Sequence, residues 1–430
     1  MNICVFGLWH LGTVTSACLA SSDHHVLGLD LNEEVVENLK NGVPPLFEPN
    51  LEDLVKKGIA EKKLKFSTNI EQSVRDAQVI WITYDTPVDE NDCADVSFVI
   101  DQIAQIFPYL KNGHNILISS QLPVGSIEYL EKLFHRLYPD ILVSFACSPE
   151  NLRLGKAISA FTKPERIIVG IRNESDKKIY IELLSPFTDH IEWMSVESAE
   201  MTKHALNAFL ATSIVFINEI ATICEKVGAD AKEVEQGLKT DIRIGQKAYL
   251  SPGGAFSGGT LARDIAFLEQ LGKQKDVPVQ LISATRSSND IHKNWNLRRL
   301  TQLFGSLKGK IIAIWGLTYK PDTDTLRRSS SLELCKQLLK EGAQIQAHDP
   351  AINNLPDQYD QIKLCLTPLE ATQKADVLVV ATEWSIYHSV EIKKVISSMN
   401  TLYIVDANHF LDNALRMFPE IKYITIGKFV

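Results

Sequence analysis

What this 430-residue sequence lacks narrows its class before any motif is read. No segment is compositionally biased, and glycine (22) and proline (17) occur at ordinary frequency, which excludes low complexity and disorder. There is no excess of positive charge. The 44 Lys+Arg face 53 Asp+Glu, a net charge of −9, and this argues against charge-driven binding to nucleic acid or to an anionic membrane. Met1 to Ala20 is apolar, yet no basic residue other than histidine precedes Lys40, so the positive start of a secretory leader is missing. Gly7 and Gly12 break that run, and no uncharged stretch elsewhere approaches the ~20 residues that span a bilayer. Cysteines at 4, 18, 93, 147, 224, 335 and 365 are odd in number, scattered and without metal-ligand spacing. They predict free thiols in a reducing cytoplasm, no disulfide framework and no metal site.

What is present is ample apolar material, 45% of the chain, over a length suited to about two to four domains. Asn2–Phe6 reads as a strand, Gly12–Ala20 as a helix, and His25–Leu29 as a second strand ending at Asp30. Asn32 opens a helix with Val35, Val36 and Leu39 at helical spacing. Strands at Val79–Thr83, Asn115–Ser119 and Leu142–Phe145 follow, separated by helical or polar stretches. Alternation of this kind predicts an α/β fold with a parallel, doubly wound sheet. From Ser198 to Gly228 runs one long helical pattern without internal glycine or proline, apolar over much of its circumference. Such a helix must be buried on several sides, so it is expected to join domains and to serve a subunit interface. At Gly309 the βαβ pattern returns, with strands at Lys310–Trp315 and Ala343–Ala347, the latter followed by Asp349, and a helix at Ser330–Glu341. Val377–Ala381 and Leu402–Val405 add further strands. The predicted organisation is two Rossmann-like domains, 1–197 and 306–430, around a helical region at 198–305.

A dinucleotide fingerprint needs three glycines at G-x-G-x-x-G for a tight turn, close approach of a pyrophosphate and helix–strand packing. Here Gly7-Leu8-Trp9-His10-Leu11-Gly12 keeps the first and third, and Trp9 stands at the second. Asp30 lies at the end of the second strand, where a carboxylate binds a ribose diol and repels a 2′-phosphate; the expected cofactor is NAD.

With these residues in place, the sequence resembles the nucleotide-sugar dehydrogenase family (UDP-glucose, GDP-mannose and UDP-N-acetylmannosamine dehydrogenases) over nearly its whole length. The resemblance is carried by Val43-Pro44-Pro45-Leu46-Phe47-Glu48-Pro49, Thr86-Pro87, Ser120-Gln121-Leu122-Pro123-Val124-Gly125 and Ser148-Pro149-Glu150-Asn151-Leu152-Arg153. It continues through Glu200-Met201-Thr202-Lys203 to Asn207, Phe216-Ile217-Asn218-Glu219, Asp241-Ile242-Arg243-Ile244-Gly245 and Gly258-Gly259-Thr260-Leu261-Ala262-Arg263-Asp264. Gly316-Leu317-Thr318-Tyr319-Lys320-Pro321, Arg327, Asp349-Pro350 and Thr382-Glu383-Trp384 complete it.

The resemblance implies a four-electron oxidation of a sugar CH₂OH to a carboxylate with two NAD⁺, through a cysteine thiohemiacetal and thioester. By motif position that cysteine falls on Thr260, whose hydroxyl is far less acidic than a thiol and needs a strong adjacent base to become a nucleophile. Leu154, Gln121 and Asn408 depart from the family's acid, threonine and arginine in the same way. Glu150, Lys203, Asn207 and Asp264 remain, and suit a first hydride transfer in which a base or water-held carboxylate takes the alcohol proton. Two alternatives stand beside an oxidation that stops after one hydride transfer. One is a full uronate-forming route through the aldehyde hydrate; the other, motivated by Trp9, is a catalytically silent binding protein.

Lys203 and Asn207 share one helix face, and Glu150 follows a strand end where α/β active sites gather. Asp264 is expected in the first turn of a helix opening near Thr260, and Thr260 itself reads equally as that helix's N-cap. Gly253, Gly254, Gly258 and Gly259 form a loop leading into a helix N-terminus, which suits an anion or a sugar, or else a flexible hinge. Lys320, Asp324, Arg327 and Arg328 suit a nucleotide diphosphate or a surface ion-pair cluster. By the resemblance, Thr86 contributes to the cofactor site and Arg243 to the substrate site of a neighbouring subunit. Cys147, three residues before Glu150, reads as a buried structural thiol. The expected partners are a nucleotide-sugar substrate and a second copy in a homodimer, with no nucleic acid and no membrane.

Overall fold

The structure, a computed structural model, describes residues 1–89, 94–150, 152, 154–257 and 259–428. Two compact units divide the chain, Met1–Ala205 and Leu206–Val430. The fold class is the expected one: mixed α/β, with a Rossmann-like sheet in each unit.

The first unit is built on β1 (Asn2–Phe6), β2 (His25–Leu29), β3 (Leu64–Ser67), β4 (Val79–Ile82), β5 (Asn115–Ile118), β6 (Ser144–Cys147), β7 (Ile167–Ile171) and β8 (Ile191–Ser195). Their order across the sheet is β3-β2-β1-β4-β5-β6-β7-β8. Both faces are covered. Ile3 and Val5 pack with the helix His10–Ser21 in one apolar cluster, while Cys4, Phe6, Ile80 and Ile82 belong to another. Period-two side-chain alternation sends an unbroken apolar run to two cores at once, which is why these strands look continuously hydrophobic. The sequence predicts a parallel sheet, and the structure departs from that at one pairing: Cys147 on β6 pairs antiparallel with Gly170 on β7. The strand forecast at Leu142–Phe145 lies two residues later. Asn32 caps the helix Glu33–Lys40, accepting from the Glu34 and Val35 amides at 3.0 and 3.3 Å.

The second unit holds a six-stranded parallel sheet of β9 (Ile311–Trp315), β10 (Gln344–His348), β11 (Ile362–Leu364), β12 (Val377–Val380), β13 (Tyr403–Asp406) and β14 (Lys422–Ile424), ordered β11-β10-β9-β12-β13-β14. Ile312 and Ile314 face one core, Ala313 and Trp315 the other.

The long helix is Val196–Val227. Among the described residues it is the one helix long and apolar enough to cross a membrane by length and composition, and 44% of its most apolar stretch is buried within the protein. It also buries Glu200, His204, Asn207, Asn218 and Glu225, each hydrogen-bonded to protein. That is the pattern of a core helix.

Candidate active site

In the first unit, the nucleotide turn is shaped by two glycines that packing requires. Gly7 has φ +101°, and a Cβ there would meet the Tyr84 amide nitrogen at 2.8 Å; a Cβ on Gly12 would lie 1.8 Å from the Gly7 carbonyl oxygen. Trp9, between them, has φ −72° and is 46% exposed, so its backbone needs no glycine and its side chain is not packed into the turn. No side chain caps the helix His10–Ser21 that follows. Its N-terminal amides and dipole therefore suit a pyrophosphate. Asp30 accepts from the Leu8 amide at 2.7 Å and the Asn32 amide at 3.0 Å and stays partly exposed at the end of β2. Turn, helix end and carboxylate fit a dinucleotide. Thr86 is buried and donates its hydroxyl to the Gln121 carbonyl at 2.6 Å, tying the loop after β4 to the loop after β5.

Asp349 occupies the matching place after β10, and there the two Rossmann-like units part. It is buried, and its Oδ2 accepts from the Leu317 and Thr318 amides, the Thr318 hydroxyl and Trp384 Nε1, at 2.7 to 3.1 Å. A carboxylate so fully engaged has little left for a ribose.

Glu150 lies just past β6, partly buried, with Oε2 accepting from the Leu152 amide at 2.6 Å. Lys203 Nζ donates to the Glu150 carbonyl oxygen at 2.6 Å, so the structure does bring these two together. Asn151 and Arg153 lie outside the described residues. The same helix supplies Glu200, which the motif includes without a role, and His204, which motif reading passed over. Glu200 accepts from the Gly125 amide at 2.7 Å and the Ile127 amide at 3.1 Å, capping the helix Ser126–Leu137, and His204 donates to the Leu122 carbonyl at 2.9 Å. Burial raises the Glu200 pKa, against the lowering effect of those two amides. Residues 200, 203 and 204 fall within one helical turn, and that spacing was the available signal. Cys147 is buried, and burial first, then Glu200 and Glu197, pushes its thiol well above the usual range; it is an inert thiol.

In the second unit Asn207 Nδ2 donates to Asp264 Oδ2, both residues buried. Ala208, Ala211 and Ile265, with Phe256, Leu261, Leu268 and Ile282 against them, form the small apolar core around this pair. The helix runs Thr260–Gln274 with Gly259 as its N-cap. Thr260 is thus its first residue and exposed, not its cap, and Asp264 sits beyond the first turn, where a role for the helix dipole does not apply.

The first part of the glycine-rich loop, Gly253 to Phe256, is held by four side chains. Asn218 Oδ1 accepts from the Gly253 amide at 3.0 Å, and His292 donates to the Gly253 carbonyl at 2.9 Å. Asn408 Oδ1 accepts from the Gly254 amide at 2.6 Å, while Asn289 bonds both the amide and the carbonyl of Phe256. Gly258 lies outside the described residues. A cavity of about 250 Å³ opens beside the loop, lined among others by Lys293, Lys320, Thr382, Glu383 and Asn408. Burial raises the Glu383 carboxyl pKa, opposed by a hydrogen bond from Asn408. Arg327 is exposed, and it is Arg328 and Tyr319 that come near Gly259, within 3.8 and 3.4 Å of where its Cβ would stand. Arg243 is exposed on the surface and bonded to Asp241 at 2.7 and 3.0 Å.

Comparison with known proteins adds a family to this geometry. The family models described as UDP-glucose/GDP-mannose dehydrogenase family NAD binding domain, central domain and UDP binding domain match residues 1–188, 197–291 and 313–413. The chain is 32% identical to UDP-glucose 6-dehydrogenase of Pseudomonas aeruginosa, covering 100% of this chain and 98% of that one. It is 33% identical to UDP-glucose 6-dehydrogenase TuaD of Bacillus subtilis over 99% of this chain and 93% of the relative. A solved UDP-glucose dehydrogenase from Pyrobaculum islandicum superposes with a TM-score of 0.87 at 25% identity, covering 100% of this chain and 98% of that structure. The chain belongs to the UDP-glucose/GDP-mannose dehydrogenase family, a family of NAD-dependent oxidoreductases that act on CH–OH groups.

Proposed function

We propose that this protein oxidises the CH₂OH group of a nucleotide-diphosphate sugar with NAD⁺, as a UDP-glucose 6-dehydrogenase does, and that it stops after one hydride transfer. The observation that carries the second half is Thr260. It is exposed at the first position of its helix, and Asp264, one turn further along the helix, is already engaged by Asn207. A hydroxyl without a strong base of its own does not form the covalent intermediate that a thiolate would.

NAD⁺, when bound, supplies the hydride acceptor. The turn Gly7–Gly12 and the amides of the helix His10–Ser21 hold the pyrophosphate, Asp30 takes the adenosine ribose diol, and Thr86 shapes the loop beside them. Lys203 and Asn207, one turn apart on a continuous helix, stabilise the oxyanion that develops as the alcohol proton leaves. Glu150 accepts that proton directly or through a water. Lys320, Gly258 and Gly259 serve the nucleotide diphosphate beside the pinned stretch Gly253 to Phe256, with Arg327 and Arg243 at its margins. The three regions 1–197, 198–305 and 306–430 divide cofactor, scaffold and nucleotide functions. We further infer a cytoplasmic homodimer. Phe209, Phe216 and Ile223 recur at seven-residue intervals and are 69%, 46% and 57% exposed, a stripe that a second copy would cover.

Counting NADH formed per nucleotide sugar consumed, with identification of the product, tests the reading. One NADH with an aldehyde is expected, and Thr260→Cys is expected to gain carboxylate product. Two NADH and a carboxylate from the parent chain would overturn the one-step reading, and failure to bind NAD⁺ at millimolar concentration would favour a silent homologue. Light scattering at twice the 48.1 kDa chain mass checks the dimer, and a monomer would refute it.

A further inference from the structure

Glu48 is a buried carboxylate, 4% exposed, in the loop between the helices Glu33–Lys40 and Leu51–Ala60. Its Oε2 accepts from His10 Nε2 at 3.0 Å and from the Gly155 amide at 2.7 Å, and its Oε1 accepts from the Ala157 amide at 2.8 Å. Burying a carboxylate is costly unless donors surround it, and bonds to an ionised acceptor are the strong ones. Three such bonds hold the carboxylate, and by the same measure the carboxylate holds its donors.

The donors come from two places that matter to the reaction. His10 is the first residue of the nucleotide-binding helix His10–Ser21, and Gly155 and Ala157 sit where the segment carrying Glu150 enters the helix Ala157–Thr162. The other end of that segment has its own anchors. Ser119 Oγ donates to the Ser148 carbonyl at 2.5 Å, and Lys203 donates to the Glu150 carbonyl at 2.6 Å. Glu48 closes the far end.

We propose that Glu48 is a positioning residue that fastens the Glu150 segment to the first turn of the nucleotide helix and so sets where the Glu150 carboxylate stands. The proposal rests on the dehydrogenase reading above. Glu48 touches no reacting atom; it acts through Gly155, Ala157 and His10.

Hydrogen exchange on the full chain, without ligands, compares the parent with Glu48→Gln. The Gly155 and Ala157 amides are expected to exchange about tenfold faster or more, with the rest of residues 1–205 unchanged. In turnover, kcat is expected to fall by about 10²-fold, since an ångström of misplacement has that effect. The NAD⁺ dissociation constant, measured by calorimetry, is expected to stay within about threefold. His10→Phe keeps the ring's bulk and removes the donor, and a smaller change in the same amides is expected. Unchanged exchange at Gly155 and Ala157 in Glu48→Gln would overturn the proposal. So would loss of protection throughout residues 1–205, which marks a merely structural role, or a kcat within threefold of the parent. A parent chain that bound no NAD⁺ would sink the dehydrogenase reading and Glu48's catalytic role with it, while the exchange comparison would still decide the anchoring.

Discussion

Replacing Gly12 by alanine tests the nucleotide turn through its packing. The new Cβ would stand 1.8 Å from the Gly7 carbonyl oxygen and 2.7 Å from Thr83 Oγ1, where ordinary contact begins near 3.4 Å. The Gly7 oxygen is backbone and already accepts from Thr83 Oγ1 at 2.8 Å, so the helix His10–Ser21 must withdraw by about 1.5 Å. Overpacking on this scale costs about 1–3 kcal/mol. For a unit of some 205 residues that lowers Tm by about 2–12 °C. The same displacement removes helix amides from a pyrophosphate. The loss of one charge-assisted bond, about 1.5–3 kcal/mol, weakens NAD⁺ binding by about tenfold to a hundredfold. Trp9→Gly is the contrast, because φ −72° there makes no demand for glycine. It is expected to shift Tm by no more than about 2 °C and to bind NAD⁺ at least as tightly as the parent. Differential scanning fluorimetry and calorimetry with NAD⁺ read both quantities. A Gly12→Ala chain with Tm within a degree of the parent and an unchanged NAD⁺ dissociation constant would refute the packing argument. Loss of binding in Trp9→Gly would show that the indole itself holds the cofactor.

Glu200 offers a pH test with a defined sign. Burial raises its folded-state pKa above the unfolded value near 4.5, so the neutral form stabilises the fold at low pH and that contribution fades as pH rises through the folded pKa. Glu200→Gln is therefore expected to gain in Tm relative to the parent on going from pH 4 to pH 8; a constant difference would contradict the assignment. Cys147→Ala is expected to leave the NADH count and product unchanged, because burial holds that thiol protonated; a changed count or product would show that the thiol takes part in the reaction. Asn408→Ala frees the Gly254 amide and removes a partner of Glu383. A KM for the nucleotide sugar raised about tenfold with kcat nearly constant is expected, and an unaltered KM would separate Asn408 from the substrate cavity.

The strands of both sheets were legible because a strand buried on two faces writes itself as a short apolar run bounded by glycine or a charge. Val79–Ile82, Ile311–Trp315 and Val377–Val380 show it, each within a residue or so of its forecast. Leu64–Ser67, Ile191–Ser195, Ile362–Leu364 and Lys422–Ile424 were missed, since edge strands of mixed polarity carry no such run, and Ile167–Ile171 was missed although it is apolar and lies inside its sheet. The antiparallel turn from β6 to β7 is a matter of pairing partners, which local pattern does not encode. The site followed the same division. Gly7, Gly12, Asp30, Glu150, Lys203, Asn207 and Asp264 were visible through motif and spacing, whereas the role of Glu48, itself within a motif, and of His204 rests on bonds to amides and carbonyls far along the chain.

By itself the sequence determined the fold class, the nucleotide-type units, the odd turn with Trp9 and the threonine at 260. These follow from residue identity and short-range periodicity. Only the tertiary structure decided that Asp30 stays partly exposed while Asp349 is spent on five internal donors, though both end a second strand after a glycine turn. It also decided that the glycine loop is pinned, that Thr260 opens its helix without capping it, and that Glu48 grips two distant segments. The physical reason is common to all four. A polar group's role is set by which donors and acceptors reach it after burial, and those partners are chosen by packing between residues tens to hundreds of positions apart.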